Sequence, residues 1–170
     1  RSKMNVMRKP RVEKIVLSAG AVGPELENAK KLLDMVTGKK AQIIKTGPNR
    51  RIPAFDVKPN MELGVRVTMR GPEAVAVLRR LLGAVDNAVK AKQVEPNHFS
   101  YGIKEYIEIP GMEYIREIGI RGFNTTVVFK RAGTRVKRKK IKQGKVPRRQ
   151  DVTTEEIISL MEKEFKTIFK

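Results

Sequence analysis

The segment from Leu63 to Arg70 constrains the fold most, because its apolar and polar residues alternate strictly. Apolar side chains occupy every second position from Leu63 to Met69, and the positions between and after them hold Gly64, Arg66, Thr68 and Arg70. A period of two places these sets on opposite faces of a β-strand. One face of the predicted sheet therefore packs on a core, and the other presents two arginines and a threonine.

Helix signals alternate with strand signals along the rest of the chain. Further strands are predicted over residues 12–17, 99–109 and 123–130, where apolar and β-branched residues concentrate. Pro24 is predicted to open a first helix, which stops at Gly38. Two crossings of a sheet by helices, with strands also joined more locally, predict an α+β fold. It would have a mainly antiparallel sheet, helices packed on one face and an open face that can present cations and hydroxyls to a phosphate backbone.

Two more helices complete the predicted elements. Pro72 is well placed to open the second, whose apolar stripe continues as far as Val89. A capping box formed by Thr153 and Glu156 opens the third, whose apolar positions reach Ile168. The predicted organisation is a single structural domain with three parts: an α+β core over residues 1–131, a basic extension over 132–151 and a C-terminal helix over 152–170.

Residues 130–149 carry eleven Lys and Arg residues and no Asp or Glu. The whole chain has a net charge of +19, so the segment contributes more than half of it. Cations placed near phosphates release condensed counterions, which favours binding to nucleic acid. A solvated tail and an anionic membrane are the alternatives, but glycine, proline and valine interrupt the run, an amphipathic stretch follows it, and it lacks a large apolar face. The sequence therefore favours nucleic acid and no membrane partner.

The chain offers little for catalysis or for metal binding. It has no cysteine and one histidine, His98, without an evident second ligand or neighbouring carboxylate. Glu105 and Glu108 do not form the pair that acid–base chemistry needs, and no phosphate-binding Walker loop occurs. We therefore expect no enzyme activity, metal, cofactor or small-molecule substrate. Residues 1–10 lack the apolar run of a signal peptide, so a cytoplasmic protein is expected.

Four segments, in order along nearly the whole chain, carry a family resemblance. They are MRKPRVEKIVLSAG at 7–20, LDMVTGKK at 33–40, GVRVTMRG at 64–71, and FSYGI at 99–103 leading to IPG at 109–111. Together they resemble the large-subunit ribosomal protein L five family in its archaeal form. The resemblance implies a structural constituent of the large ribosomal subunit that holds 5S rRNA and large-subunit rRNA in the central protuberance. An extraribosomal RNA chaperone or regulator would share these features and is the alternative.

The resemblance also implies partners and contact residues. For 5S rRNA it points to Ser18, Lys39, Phe55, Thr68 and the adjacent Arg70, and strand alternation adds Arg66. Serine stands at position 18 where the family usually has asparagine, which keeps a hydrogen-bonding group but shortens its reach. Residues 46–61 correspond to the loop that approaches P-site tRNA, with Lys45, Arg50, Arg51 and Lys58 as its candidate cations.

Two more surfaces follow from the same comparison and from charge. A loop over about 108–116, with Glu108, Met112, Tyr114 and Arg116, corresponds to the contact with a small-subunit head protein. Neighbouring large-subunit proteins are further expected partners. The basic extension is assigned to other rRNA on charge, through Arg135, Lys137, Arg138, Lys139, Lys140, Lys142, Lys145, Arg148 and Arg149.

Overall fold

The structure is a computed structural model that describes residues 5–170. The core predicted over residues 1–131 has its first four residues outside the described part. The elements, in chain order, are β1 Arg11–Gly20, α1 Pro24–Thr37, β2 Gln42–Lys45, β3 Glu62–Arg70, α2 Pro72–Gly83, β4 Ala88–Val89, β5 Val94–Glu95, β6 His98–Ile103, β7 Phe123–Lys130, α3 Thr154–Phe165 and β8 Ile168–Phe169. Short 3-10 turns lie between several of them.

Six of the strands form one sheet in the order β2-β3-β1-β7-β6-β5. The pairs β2–β3 and β5–β6 are antiparallel, whereas β4 and β8 form a separate parallel pair. Strands β1 and β7 are neighbours in the sheet although they are distant in sequence. The chain therefore makes a crossover connection between them. The predicted α+β class, with a mostly antiparallel sheet, is confirmed.

Burial alternates along β3 from Val65 onward, as the sequence predicts, and along β7. In β3, Val65, Val67 and Met69 are buried, whereas the residues that follow each of them are exposed. Strand β7 repeats the pattern, with every second residue buried from Phe123 to Phe129. Each of these strands therefore has one core side and one side that remains accessible.

Helix α1 begins and ends where the sequence predicts. Pro24 occupies its first turn, where a missing N–H costs nothing, and acidic Glu25 and Glu27 lie at the positive end of the helix. At the other end Gly38 adopts the left-handed conformation, with φ of 65°, and its N–H donates to the carbonyl of Asp34 at 2.7 Å. Glycine tolerates this conformation without a Cβ clash, so the helix stops there.

The predicted ends of α2 and α3 are wrong. Helix α2 ends at Gly83, and the chain turns through Asp86 and Asn87, both with positive φ. Val89 therefore belongs to β4, where it pairs with Phe169. Helix α3 ends at Phe165, and Ile168 lies in β8. Pairing between two distant segments replaces the last helical turn of each.

Two predicted strands also have different limits. The strand predicted over 12–17 continues to Gly20, and the N–H of Ala21 still donates to the carbonyl of Leu63 at 3.2 Å. A Cβ on Gly64 would lie 2.6 Å from the carbonyl oxygen of Ala19, so glycine permits this close approach of β3 and β1. The strand predicted over 99–109 ends at Ile103, because the chain then turns to bury Tyr106 in a 3-10 turn.

The contacts divide the chain into two compact units. The first comprises residues up to 15, 70–101 and 126–170, and the second comprises 16–69 and 102–125. In the first, Phe99 stacks on Phe129 with ring centroids 5.8 Å apart, and both rings are buried. In the second, fully buried Leu17, Leu33 and Tyr106 belong to the core. Within residues 5–170, no helix has the length and apolar character needed to cross a membrane.

Candidate nucleic-acid interface

Strand β3 carries the polar row predicted from its alternation. Arg66, Thr68 and Arg70 are all exposed on the side opposite the buried residues. Within the second unit, Ser18 lies on the adjacent strand β1 and is half-buried. These two adjacent strands therefore present two hydroxyls and a guanidinium within the second unit, which are donors suited to phosphate and sugar oxygens.

A groove of about 420 Å³ opens beside Ser18 in the second unit. Gly20, Gly102, Lys104 and Asn124 are among the residues that line it. A Cβ on Gly102 would lie 3.2 Å from the Asn124 side-chain oxygen, so the glycine leaves room for that side chain in the groove lining. Sequence reasoning missed Lys104 and Asn124, because they lie at strand ends whose proximity to Ser18 only the folded sheet produces.

The loop over residues 46–61 is ordered at its base and near its tip. Both the N–H and the hydroxyl of Thr46 donate to the carbonyl of Met61, at 2.8 and 2.9 Å. Ile52 and Val57 form an antiparallel bridge around the 3-10 turn Pro53–Phe55. The Phe55 side chain is 79% exposed there. An aromatic ring with this exposure contributes little to the core and is accessible for stacking.

The cations of this region differ in their surroundings. Arg50, Arg51 and Lys58 are exposed on the loop. Lys45 is exposed as well, but its amino group lies 3.0 Å from Glu62, so the loop contributes less free positive charge than the sequence suggested. Lys39 is exposed immediately after Gly38, where a cation is favourable at the C-terminal end of helix α1.

The loop between β6 and β7 contains the four residues predicted to meet a small-subunit protein. Buried Tyr106 holds this loop, because its hydroxyl accepts a hydrogen bond from the N–H of Ile115 at 2.8 Å. Glu108, Tyr114 and Arg116 are exposed, whereas Met112 is half-buried. Met112 is therefore the least available of the four for a contact.

All nine predicted rRNA-contacting residues of the basic extension are exposed: Arg135, Lys137, Arg138, Lys139, Lys140, Lys142, Lys145, Arg148 and Arg149. The segment forms a 3-10 turn over Thr134–Arg138. It then folds back, with Gln143 donating to the Lys137 carbonyl at 2.6 Å and Gly144 donating to the Val136 carbonyl at 3.2 Å. Its cations therefore project from a folded loop.

Asn97 joins the two ends of this loop. Its side-chain oxygen accepts from the N–H of Val152 at 2.8 Å, and its own N–H donates to the Val152 carbonyl at 3.0 Å. The Asn97 carbonyl accepts from the N–H of Phe129 at 2.7 Å. One residue with positive φ therefore connects strand β7 to the segment that precedes helix α3. The sequence offered no signal for this role of Asn97.

Arg131 and Glu156 tie the start of helix α3 to the end of β7. The guanidinium of Arg131 donates to the Glu156 carboxylate at 2.5 Å and to the Arg149 carbonyl at 3.2 Å. The predicted capping box is confirmed, with the N–H of Thr153 donating to the same carboxylate at 3.3 Å. Burial alone would raise the pKa of Glu156, but the hydrogen bonds from Arg131 and Thr153, with the Arg131 charge, lower it below its ordinary value.

Glu13 is an acidic residue among cations that sequence reasoning did not single out. Its side chain is only 8% exposed and forms an ion pair with Arg138. The same oxygen lies 3.7 Å from the amino group of Lys130 and 4.0 Å from the guanidinium of Arg70. Because Arg138 lies 125 positions away along the chain, no local pattern could predict this cluster.

The single histidine differs from its prediction in one respect. Glu95 lies 3.4 Å from the His98 ring, so a carboxylate is nearby after all. Both side chains are substantially exposed, and the pair lies at the β5–β6 turn. Among residues 5–170, no three His, Asp or Glu side chains are grouped so that they could hold a metal ion.

Comparison with known proteins identifies the family. Residues 62–158 match the C-terminus of the ribosomal protein L five family. The chain is 40% identical over 161 residues to the large ribosomal subunit protein uL5 of Nanoarchaeum equitans, covering 93% of this chain and 94% of that protein. It is 36% identical over 171 residues to the protein of the same name from Aeropyrum pernix, covering 98% and 88% of the two chains. The match extends over nearly the whole chain, so the chain belongs to the ribosomal protein L five family.

Proposed function

We propose that this protein is a non-enzymatic structural constituent of the large ribosomal subunit that binds 5S rRNA and large-subunit rRNA in the central protuberance. The family assignment supports the ribosomal role, because the relatives are named as large-subunit proteins. The charge of +19 is of the sign that a protein embedded in RNA requires. The choice of 5S rRNA is an inference from the family resemblance and from the chemistry of the sheet.

One observation carries the proposal: the exposed polar row of β3 opposite a buried apolar row. A solvated sheet face needs no arginine at alternate positions, whereas an RNA backbone is matched by arginine and threonine donors at strand spacing. Ser18 on β1 extends the row within the second unit. Lys39 and the exposed Phe55 are further proposed contacts, the first with phosphate and the second with a base.

The ordered loop over residues 46–61 is the proposed contact with P-site tRNA. It presents Arg50, Arg51 and Lys58 around a base that Thr46 closes. Arginine and lysine side chains on a loop of fixed shape can bind backbone phosphates without reading sequence. Lys45 takes a smaller part in this proposal, because Glu62 partly neutralises it.

The loop held by Tyr106 is the proposed contact with a small-subunit head protein. Exposed Tyr114 and Arg116 are residue types enriched in protein interfaces, and Glu108 supplies the opposite charge. The cations of the basic extension are assigned to large-subunit rRNA. Neighbouring large-subunit proteins are the remaining proposed partners.

The test reverses one charge on the sheet face. Arg66→Glu replaces an exposed side chain, so the fold should remain intact, while 5S rRNA binding should weaken at least about a hundredfold, since a repelled phosphate replaces a bound one. Affinity is measured by fluorescence anisotropy with labelled 5S rRNA at about 0.15 M salt. Lys163→Glu is the matched control, because it makes the same charge change at an exposed position of helix α3.

Equal losses of 5S rRNA affinity for Arg66→Glu and Lys163→Glu would show that only net charge controls binding. The sheet face would then be excluded as the binding surface. Sedimentation of the protein with large subunits tests the ribosomal role itself. Absence from the subunits, with free RNA still bound, would favour an extraribosomal RNA-binding role instead.

A further inference from the structure

Glu13 is a nearly buried carboxylate on which cations from three segments converge. Glutamate is seldom buried unless it is paired, and here the side chain is 8% exposed. Arg70 comes from the end of β3, Lys130 from the end of β7 and Arg138 from the basic extension, and all three approach one carboxylate oxygen. We call these four residues the Glu13 cluster, and all of them belong to the first unit.

The charges of the Glu13 cluster do not balance. Three cations face one carboxylate, which leaves a formal excess of two positive charges. The carboxylate is covered, whereas the side chains of Arg70 and Arg138 are 56% and 52% exposed. A guanidinium has five N–H donors and an ammonium has three, and Lys130 and Arg70 lie 3.7 and 4.0 Å from the oxygen, beyond hydrogen-bond distance. Glu13 therefore does not use up their donors. The excess charge and the remaining donors therefore lie on the solvent side.

A cavity of about 400 Å³ adjoins the cluster and supplies room for a ligand. Its lining includes Glu13, Lys130 and Arg138 of the cluster but not Arg70. The further cations Arg131, Lys137 and Arg148 also line it and outnumber the one further carboxylate, Asp151. A phosphodiester group has two anionic oxygens, and the fork geometry of arginine matches such groups. The surroundings therefore favour a phosphate over a neutral or cationic ligand.

We propose that Glu13 is a positioning residue for RNA binding: it holds Arg70, Lys130 and Arg138 side by side so that together they bind one backbone phosphate. Like charges repel, and without the carboxylate the three side chains would spread into solvent. Donors that are already in place lose less side-chain freedom when the phosphate arrives. The inference rests on the proposed RNA-binding function and adds a contact in the first unit.

Removal of the Glu13 charge should change RNA affinity in opposite directions, depending on whether total charge or the positioning of cations controls binding. If only the total charge mattered, removing an acidic residue would strengthen binding to a polyanion. If Glu13 positions cations, its removal weakens binding. Glu13→Gln preserves the shape of the side chain while removing its charge, and Glu162→Gln makes the same change at an exposed position of helix α3.

The affinities are measured with labelled 5S rRNA and with labelled large-subunit rRNA over a series of salt concentrations. We expect Glu13→Gln to weaken binding of at least one of these RNAs about tenfold, which corresponds to one charge-assisted hydrogen bond. The slope of log affinity against log salt should fall by about one, because one phosphate is no longer neutralised. Glu162→Gln should bind both RNAs as tightly as the original protein or slightly more tightly. Equal affinities for the two variants would overturn the proposal.

A second pair of variants avoids any dependence on the folding of Glu13→Gln. Arg138 and Arg135 are both exposed cations of the same 3-10 turn, but only Arg138 belongs to the cluster. Arg138→Gln should weaken binding about five times more than Arg135→Gln, because a donor that Glu13 already holds in place loses less side-chain freedom on binding. Equal effects would overturn the proposal, even if Glu13→Gln fails to fold.

The outcomes also separate this inference from the function on which it rests. If the unaltered protein binds neither RNA, the proposed function fails and the inference fails with it. If the protein binds RNA and Arg66→Glu weakens that binding, but Glu13→Gln behaves like Glu162→Gln, only the positioning role is wrong.

Discussion

Two phenylalanines show how far the surroundings of a residue determine its role. Phe99 is fully buried and stacks on Tyr101 and Phe129, with ring centroids 5.9 and 5.8 Å away. Phe55 is 79% exposed at the tip of a loop. The same side chain therefore stabilises the core at one position, and at the other it is available to a partner.

Replacement of each phenylalanine by alanine should separate stability from binding. Phe55→Ala should change the free energy of unfolding by less than about 0.5 kcal/mol, as expected for an exposed position. It should weaken RNA binding by about 1–3 kcal/mol if the ring stacks on a base. Phe99→Ala is the contrasting variant and should cost about 3–5 kcal/mol of stability. Denaturant unfolding and RNA titration measure the two quantities.

A stability loss for Phe55→Ala comparable to that of Phe99→Ala would mean that the exposed ring packs on the protein in solution. Unchanged RNA affinity would instead remove Phe55 from the proposed interface. Either result leaves the proposed role of Arg66 on β3 untouched, because the two residues lie on different elements.

Among the elements, helix α3 is distinguished by its first turn, where Glu156 forms an ion pair with Arg131. The lowered pKa of Glu156 means that the ionised carboxylate is favoured in the folded state. The resulting stability is fully present above the ordinary carboxyl pKa of about 4.5 and is lost as the pH falls through the lower, folded-state value. Glu156→Gln should therefore reduce the Tm at pH 7, and the difference from the original protein should shrink below about pH 4.

Thermal unfolding over a pH series measures this effect, and Glu162→Gln controls for the general loss of one acidic group. A difference between Glu156→Gln and the original protein that stays constant from pH 7 to strongly acidic conditions would contradict the ion pair. Because Glu156 is partly exposed, salt should reduce the effect.

Some elements of the fold could be predicted from the sequence, and others could not. Helix α1 and strand β3 were predicted closely, because proline, glycine and strict alternation are local signals that tertiary contacts reinforced. The end of α2 was missed, because β4 forms only by pairing with β8, about 80 residues later along the chain. Likewise, the early end of β6 depends on the burial of Tyr106, which its neighbours in sequence do not specify.

The candidate site divides in the same way. Arg66, Thr68 and Arg70 followed from the period of one strand, and the cations of the basic extension from composition. The roles of Glu13 and Asn97 did not follow, because their partners lie far along the chain. Physical contacts between distant segments leave no trace in a single sequence, so such anchoring residues become visible only in the folded chain.

For the whole molecule, the dominant quantity is the positive charge and its concentration in one segment. Lys139, Lys140 and Lys142 are exposed in the basic extension and lie outside the Glu13 cluster. Replacing all three by glutamine should lower the slope of log affinity against log salt by about two to three for the rRNA that this segment contacts. The Tm should change little, since all three side chains are exposed.

RNA titration at several salt concentrations measures this slope, with circular dichroism to confirm the fold. Replacement of Lys30, Lys163 and Lys166 by glutamine removes the same charge from two helical regions and is the control. Equal changes in slope for the two triple variants would mean that the extension has no preferred position on the RNA.

The Asn97 hydrogen bonds have a consequence for how the basic extension would dock. They join Phe129 and Val152, so the intervening chain is a closed loop before any partner arrives. Bringing the ends of such a loop together carries an entropic cost that grows with the length of the loop. In this protein the ends are joined during folding, so RNA binding does not add that cost. A ribosomal RNA that receives this loop would therefore have less chain to immobilise than with a free tail of equal charge.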